Sequence, residues 1–347
     1  MIWLAAMLAV GAPSGCTSGP SLAYVCNVPR PEDVVAIPGT RWIIASGFAP
    51  GAGLKLVDTN THEARPWYEG REDQVAADRQ TYPDCPHPVE PSLFNVQGLS
   101  LRAMGDGHFT LYAVNHGGRE SIEIFDVMLA GGQPLLRWKG CRILPAGQMG
   151  NAVASFSDGT LLVTVLTRPG TTIADFVLGK PTGAVWEWRP GAIRFEEIKG
   201  TELPGNNGLE TDPDDRHFYV VAFGWHAVIV YDRRRPLKAE RRIDMPGFMP
   251  DNVHWTNGQL VAAGMRFDEP ACGGLRRVID GEADKMLCHR GYVVAAINPD
   301  NGAVSTLAYG EPDPSFNGVS AGAIVGDTLW LGSYQADRLA YRKLPGR

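Results

Sequence analysis

Short apolar runs recur along this chain, each opening on polar residues and each closed by Gly, Pro, Asp or Asn. The clearest example is Gly205–Arg234. It opens on Asn206-Asn207-Gly208, continues as Leu209–Thr211, and meets the turn residues Asp212-Pro213-Asp214-Asp215. Proline presets φ there, and the Asp side chains bond the backbone two residues on. The β-branched and aromatic run His217–Ala222 follows, Gly224 breaks it, and Ala227–Tyr231 forms the next run. The pattern predicts an antiparallel meander whose polar residues head its first strand.

The same order returns elsewhere. Asp33–Ile37 turns at Pro38-Gly39 into Trp42–Ile44. Gly98–Leu101 passes Gly105-Asp106-Gly107 into Phe109–Val114 and Ser121–Val127. Asn151–Ala154 turns at Asp158-Gly159 into Leu161–Val165 and Ala184–Trp188. Asp251–His254 turns at Asn257-Gly258 into Leu260–Ala263 and Tyr292–Ile297. Asn317–Ser320 passes Gly326-Asp327 into Thr328–Leu331 and Arg338–Tyr341. The six units start roughly 45 to 66 residues apart, a spacing typical of propeller blades. The expected fold is all-β: a six-bladed β-propeller of four-stranded antiparallel blades, with the start of each innermost strand facing a central channel. A strand near Ser21–Val28 is expected beside the C-terminal strands, closing the ring and removing an open edge.

Composition supports this reading. In 347 residues there are 41 Gly and 26 Pro, suited to many short strands, and 44% hydrophobic residues, enough for a full core. No capped amphipathic helix of three turns stands out. The net charge of −6 argues against a nucleic-acid partner, which needs a basic field. The one basic run, Arg233-Arg234-Arg235 with Lys238, Arg241 and Arg242, reads as a solvated hairpin.

The N-terminus carries an apolar stretch, Ile2–Val10, that is too short to span a bilayer and resembles a signal-peptide core without its basic start. Pro13-Ser14-Gly15-Cys16 resembles a lipoprotein cleavage site, with Pro13 where an aliphatic residue is usual. Export is the expectation, with residues 1–19 as leader and 20–347 as one domain, and with membrane association only through lipidation at Cys16. The six cysteines lack the close pairs of a zinc site. Cys272 and Cys288 flank one insertion in the fifth unit and can close it by a disulfide, whereas spacing leaves Cys26, Cys85 and Cys141 unassigned between disulfides and buried thiols.

The residues heading the units are Glu32 and Asp33, Gln97, Asn151, Asn207, Asp251 and Asn252, and Asn317. Singly, each is an ordinary strand-end residue that bonds nearby backbone. In a propeller they converge on one channel, where unpartnered carboxylates and amides are costly and a hard cation satisfies them. Glu32 and Asp251 balance one divalent ion, and Asn151, Asn207 and Asn252 add neutral oxygens. With no His or Cys required, this donor set suits Ca2+.

At these residues the chain resembles the paraoxonase/arylesterase group within the wider regucalcin–gluconolactonase-like propellers. The resemblance is carried by Pro31-Glu32-Asp33, by Leu111–His116 followed by Ser121–Phe125, and by Leu144-Pro145 with Asn151. It continues in Asn207-Gly208-Leu209 before Asp212-Pro213-Asp214 and in Asp251-Asn252-Val253. It implies a catalytic calcium held by Glu32, Asn151, Asn207, Asp251 and Asn252, and hydrolysis of lactones or aryl esters. Asp251, Asn207 and His116 would be the catalytic groups, with Asp251 or a coordinated water delivering the nucleophile.

Two departures stand out. Gln97 occupies the position of a histidine in the family's proposed His–His base, leaving His116 alone. Ala152 replaces a carboxylate of a second, structural calcium, for which Asp33 and the Leu99 carbonyl remain as ligands. His116 either shuttles protons or is satisfied within its blade. Trp225 and His226, after Gly224, either shape the pocket mouth with Gln97 or pack as aromatics between blades. Phe94, Phe316 and Tyr334 divide between pocket wall and core. His254 alternates with Asn252 and can point the same way. No Gly-x-Ser-x-Gly elbow occurs, and no helix start or Lys follows Asn115-His116-Gly117-Gly118 to make a phosphate cradle. The expectation is a calcium-dependent hydrolase of lactones or esters acting on a small molecule. The alternatives are a sugar-lactone hydrolase of gluconolactonase type and a non-catalytic, calcium-stabilised propeller that binds a ligand or protein.

Overall fold

The computed structural model describes Cys16, residues 18–19, 21–256 and 258–344. The leader stretch Ile2–Val10, Pro13-Ser14-Gly15 and the turn residue Asn257 lie outside the described residues. Six four-stranded antiparallel sheets follow one another in the chain as the blades of a six-bladed β-propeller. Their innermost strands are Val34–Ala36, Val96–Gly105, Gly150–Ser155, Asn206–Thr211, Phe248–Thr256 and Val319–Val325, heading blades 1 to 6. Ala23–Cys26 lies antiparallel to Arg338–Lys343, with Ala23 opposite Tyr341 and Cys26 opposite Arg338, so the N-terminal strand completes blade 6. Joining the two chain ends in one sheet closes the ring.

Burial falls from the channel outward. All six positions of Gly150–Ser155 are buried, whereas the outermost strands Glu63–Pro66 and Arg241–Asp244 are largely exposed. The sequence pattern showed three strands in units 2 to 6 and two in unit 1, missing Lys55–Asp58, and of the outermost strands it marked only the one near Ser21–Val28. Between blades the sheets pack face to face. Trp42, Leu56, Leu111, Phe125 and Trp138, for example, share one core joining blades 1 and 2. Each such buried side chain contributes about 1.5–3 kcal/mol by leaving water. Phe94 and Phe316 belong to these cores, buried to 0% and 2% exposure.

Three disulfides join Cys16 to Cys26, Cys85 to Cys141 and Cys272 to Cys288, leaving no free cysteine. They fit an oxidising, exported environment. Engagement of the Cys16 sulfur with Cys26 competes with its use as a lipid attachment point. The Cys272–Cys288 bond closes the blade 5 insertion, as the flanking positions suggested. That insertion carries two small hairpins, Asp268–Glu269 with Gly274–Leu275 and Val278–Ile279 with Glu282–Ala283. In the basic run, Arg233, Arg235 and Arg242 pair with Asp158, Asp232 and Asp244.

Candidate metal centre

A single backbone device sets the channel residues. In blades 2 to 6 the ladder between the innermost strand and its neighbour shifts register at the start of the strand, between Val96 and Leu99, Gly150 and Val153, Asn206 and Leu209, Pro250 and Asn252, and Val319 and Ala321. A bulge inserts a residue that the neighbouring strand does not match and re-aims its side chain. The residues so released include Gln97, Asn151, Asn207 and Asp251. Glu32 arrives from the segment just before blade 1, held by its carbonyl accepting from Ser320 Oγ.

The strands approach so closely here that two positions have no room for a side chain. A Cβ on Gly98 would lie 2.5 Å from the Asn151 carbonyl oxygen, and one on Gly208 would lie 2.5 Å from that of Asp251. Thr164 fastens the same layer, its hydroxyl donating to the Asn207 carbonyl at 2.7 Å and accepting from Ala152 N–H at 3.0 Å.

Glu32, Gln97, Asn151, Asn207 and Asp251 line one cavity of about 330 Å³. Among its polar floor atoms, Glu32 Oε2, Asn151 Oδ1 and Asn207 Oδ1 are buried and lack any hydrogen-bond partner. All three are acceptors. Asn252 donates from Nδ2 to Glu32 Oε1 at 3.1 Å, which brings the fifth residue to the group. Burial, with Asp33 and Asp251 nearby, pushes the Glu32 carboxyl well above the usual range, partly offset by the amides of Asn252 and Gln97. Burial also raises Asp251 to about 7, against the pull of the Asn207 amide. Two reluctant carboxylates and orphaned amide oxygens form a site that lacks a positive charge, and a hard divalent cation fits that deficit. Among the described residues no group of three or more His, Cys, Asp or Glu side chains is arranged to hold a metal. The candidate centre instead draws on two carboxylates and three carboxamides.

A second polar layer, around Asp33, lies behind this one. His254 Nε2–H donates to Asp33 Oδ1 at 2.8 Å, and Nδ1 lies 3.3 Å from Glu210 Oε2. Burial disfavours charge on the ring, but the Asp33 and Glu210 carboxylates overcome it and raise the pKa to about 10. Asp33 also accepts from the Val34 and Leu99 N–H groups, at 2.8 and 2.7 Å. Leu99 thus meets Asp33 through its amide hydrogen, not its carbonyl oxygen. The imidazole thus gives a partner within the chain to the carboxylate that the resemblance offered to a second ion.

His116 does not line the cavity. Its Nε2 lies 2.8 Å from Gln97 Oε1 and its Nδ1 2.8 Å from Glu120 Oε2, while the Gln97 amide is near enough to Glu32 to favour that carboxyl's charged form. The ring reaches the floor only through Gln97, as a link in the chain Glu120–His116–Gln97–Glu32. The neighbouring Asn115 side chain holds the Gly117 turn, bonding the Gly117 N–H and carbonyl.

Of the two readings for Trp225 and His226, packing holds, and neither lines the main cavity. Arg242 covers the Trp225 ring, and His226 stacks on Phe267 beside a smaller cavity of about 200 Å³. The walls of the main cavity come from elements that carried no signature in the sequence. α1 (Ile173–Val177), a single helical turn begun by a Thr172–Asp175 capping box, brings Ile173 and Phe176. The disulfide-closed insertion of blade 5 brings Arg276 and Met286, and Tyr334 follows the second strand of blade 6. Phe48, Met149, Leu166, Phe223 and Met265 complete an apolar wall above the polar floor. The flanking cysteines were the one available pointer to the insertion.

By sequence, the chain matches no family model and no curated protein. By structure it resembles solved propellers over nearly its whole length. A luciferin-regenerating enzyme aligns with TM-score 0.52 at 14% identity, over 94% of this chain and 96% of its own. A protein proposed to be a gluconolactonase aligns with TM-score 0.53 at 16% identity, over 95% and 93%. Regucalcin from Agrobacterium tumefaciens, a calcium-binding protein, aligns with TM-score 0.51 at 11% identity, over 94% and 95%. What the chain shares with them is the fold.

Proposed function

We propose that this propeller is a calcium-dependent hydrolase of lactones or carboxylic esters. The observation that carries this reading is the set of unpartnered, buried acceptors Glu32 Oε2, Asn151 Oδ1 and Asn207 Oδ1 beside Asp251, at the floor of an apolar cavity. Glu32, Asn151, Asn207, Asp251 and Asn252 would hold the ion. A bound calcium would supply Lewis-acid polarisation of the ester carbonyl and stabilise the oxyanion. The resemblance of these segments to the paraoxonase/arylesterase group supports the same assignment, as does the calcium-binding regucalcin among its structural neighbours.

The protein's own groups divide the remaining work. Hydrolysis joins a water oxygen to the acyl carbon, breaks the acyl C–O bond and moves one proton from the water to the leaving alkoxide. Asp251 is the carboxylate in the cavity lining placed to take and return that proton. Gln97 cannot titrate there, so its part is to orient Glu32, with His116 and Glu120 behind it. The apolar wall, including Phe48, Phe176 and Phe223, excludes water and favours an aliphatic or aryl substrate over a sugar lactone.

A panel of an aryl ester, an aliphatic lactone and a sugar lactone tests this, each with calcium, with chelator and with calcium restored. The expected result is turnover of the first two that stops with chelator and returns with calcium. Preference for the sugar lactone would favour the gluconolactonase-type alternative. Calcium-dependent stability without turnover would support the non-catalytic propeller, a reading favoured by Gln97 standing where a titratable group would be needed.

A further inference from the structure

We propose that Arg276 forms an anion subsite in the cavity wall, selecting substrates that carry a free carboxylate on an otherwise apolar acyl or aryl body. The word substrate rests on the hydrolase reading; the subsite itself does not.

Arg276 joins the two hairpins of the blade 5 insertion, which the Cys272–Cys288 disulfide ties at its base. Its Nε donates to the Asp284 carbonyl at 3.0 Å, fixing one edge of the guanidinium. Its guanidinium carbon stands 5.8 Å from the centroid of the Phe176 ring, which is contributed by α1. The side chain lines both the main cavity and the smaller one beside it. It therefore stands where two excursions from different blades meet over the floor.

Arg276 is the arginine of the main cavity's lining, and it has no acidic partner. Among the described residues no carboxylate lies within 4.0 Å of Arg276, whereas Arg266 pairs with Glu269 and Glu311, and Arg119 with Glu123. Asp284 and Asp251 act on it only at longer range. The floor offers no compensation once loaded, because a divalent ion balances Glu32 and Asp251, and His254 already answers Asp33. A second cation, outside the cavity lining, acts on Arg276 at longer range. Arg290 is only 2% exposed, its Nε and Nη2 have no hydrogen-bond partner, and its Nη1 donates at 2.9 Å to the Phe267 carbonyl rather than to an acid.

A partly desolvated cation without a counter-ion favours an anion that enters the cavity. The planar guanidinium suits a carboxylate, which accepts two parallel N–H bonds, better than it suits a single acceptor. The apolar wall around it limits the remainder of the ligand to aliphatic or aromatic groups.

The test uses the calcium-loaded protein and two ligands of like body, adipic monoanilide and hexananilide, which differ by one carboxylate and resist hydrolysis. Calorimetry should show wild type binding the carboxylate at least about tenfold more tightly, a difference of about 1.4 kcal/mol. Arg276→Met should erase that preference while leaving hexananilide affinity unchanged, and Arg276→Lys should keep a reduced preference. With phenyl hydrogen adipate as substrate, Arg276→Met should raise KM with kcat little altered, and phenyl hexanoate should be indifferent to the change. Equal affinity of wild type for the two anilides would overturn the subsite, as would an anion preference that survives Arg276→Met. Absence of turnover on any ester together with an Arg276-dependent anion preference would remove the hydrolase reading and leave the subsite standing.

Discussion

Glu32 and Asp33 are neighbours in sequence, both buried, and they meet opposite fates. Asp33 faces a layer that supplies its own cation, with His254 at 2.8 Å and two backbone N–H groups completing its acceptors. Glu32 faces the cavity, where Asn252 takes one oxygen and the other has no partner. Both layers hold acids that burial makes costly. One is closed by an imidazolium from the chain, and the other is open at the channel mouth and complete only with an ion from outside. A buried carboxylate by itself therefore does not identify a metal site; the unpartnered acceptors beside it do.

The comparison can be broken from either side. The largest effect is expected at the open layer, where Asp251→Ala removes one of the two charges that balance the ion. Calcium affinity should fall by at least about a hundredfold on calorimetric titration, since a desolvated charge interaction is worth several kcal/mol. At the closed layer, His254→Gln leaves Asp33 buried with no cation. The cost expected is about 3–5 kcal/mol of stability, measured by denaturant unfolding, and an unchanged midpoint would remove the imidazolium from the account. Between these, Gly208→Ala drives a Cβ to within 2.5 Å of the Asp251 carbonyl oxygen. It should lower stability by about 1–3 kcal/mol and weaken calcium binding in parallel, because the displaced backbone carries a ligand.

The smallest effect expected is graded with pH. Asp251 titrates at about 7 in the calcium-free fold and near the ordinary carboxylate value when unfolded, and Glu32 is shifted in the same direction. The calcium-free fold thus holds protons that the unfolded chain has released, and it loses stability as pH rises from about 4 to about 7. Calcium takes the place of those protons. The melting-temperature gap between loaded and chelated protein should widen from about pH 5 to about pH 8, and a gap that narrows would contradict the sign of both shifts.

Much of this was legible in the sequence. The polar residue heading each meander located the inner end of each blade, and the acceptor-rich set from Glu32 to Asn252 required no coordinates to suggest a hard cation. Three features were not legible. Glu63–Pro66, the outer strand of blade 1, is mostly exposed and polar, so no apolar run marks it. The bulges that free Asn151 and Asn207 are properties of the pairing between strands, which composition does not encode. Trp225 and His226 looked like pocket residues because they follow a glycine at a strand end, yet Trp225 packs under Arg242 of its own blade and His226 stacks on Phe267 of blade 5. The cavity wall came instead from α1 and the blade 5 insertion, elements too short to announce themselves. His254 was half legible: alternation gave its direction, but only the carboxylates from blades 1 and 4 show that it acts as a cation.

The most direct test of the two-layer account is the stoichiometry of calcium bound by chelator-stripped wild-type protein, read by calorimetric titration. One ion per chain is the expected result, since the open layer lacks a cation and the closed layer contains one. Two ions per chain would show that His254 does not close its layer, and no binding would remove the metal centre altogether.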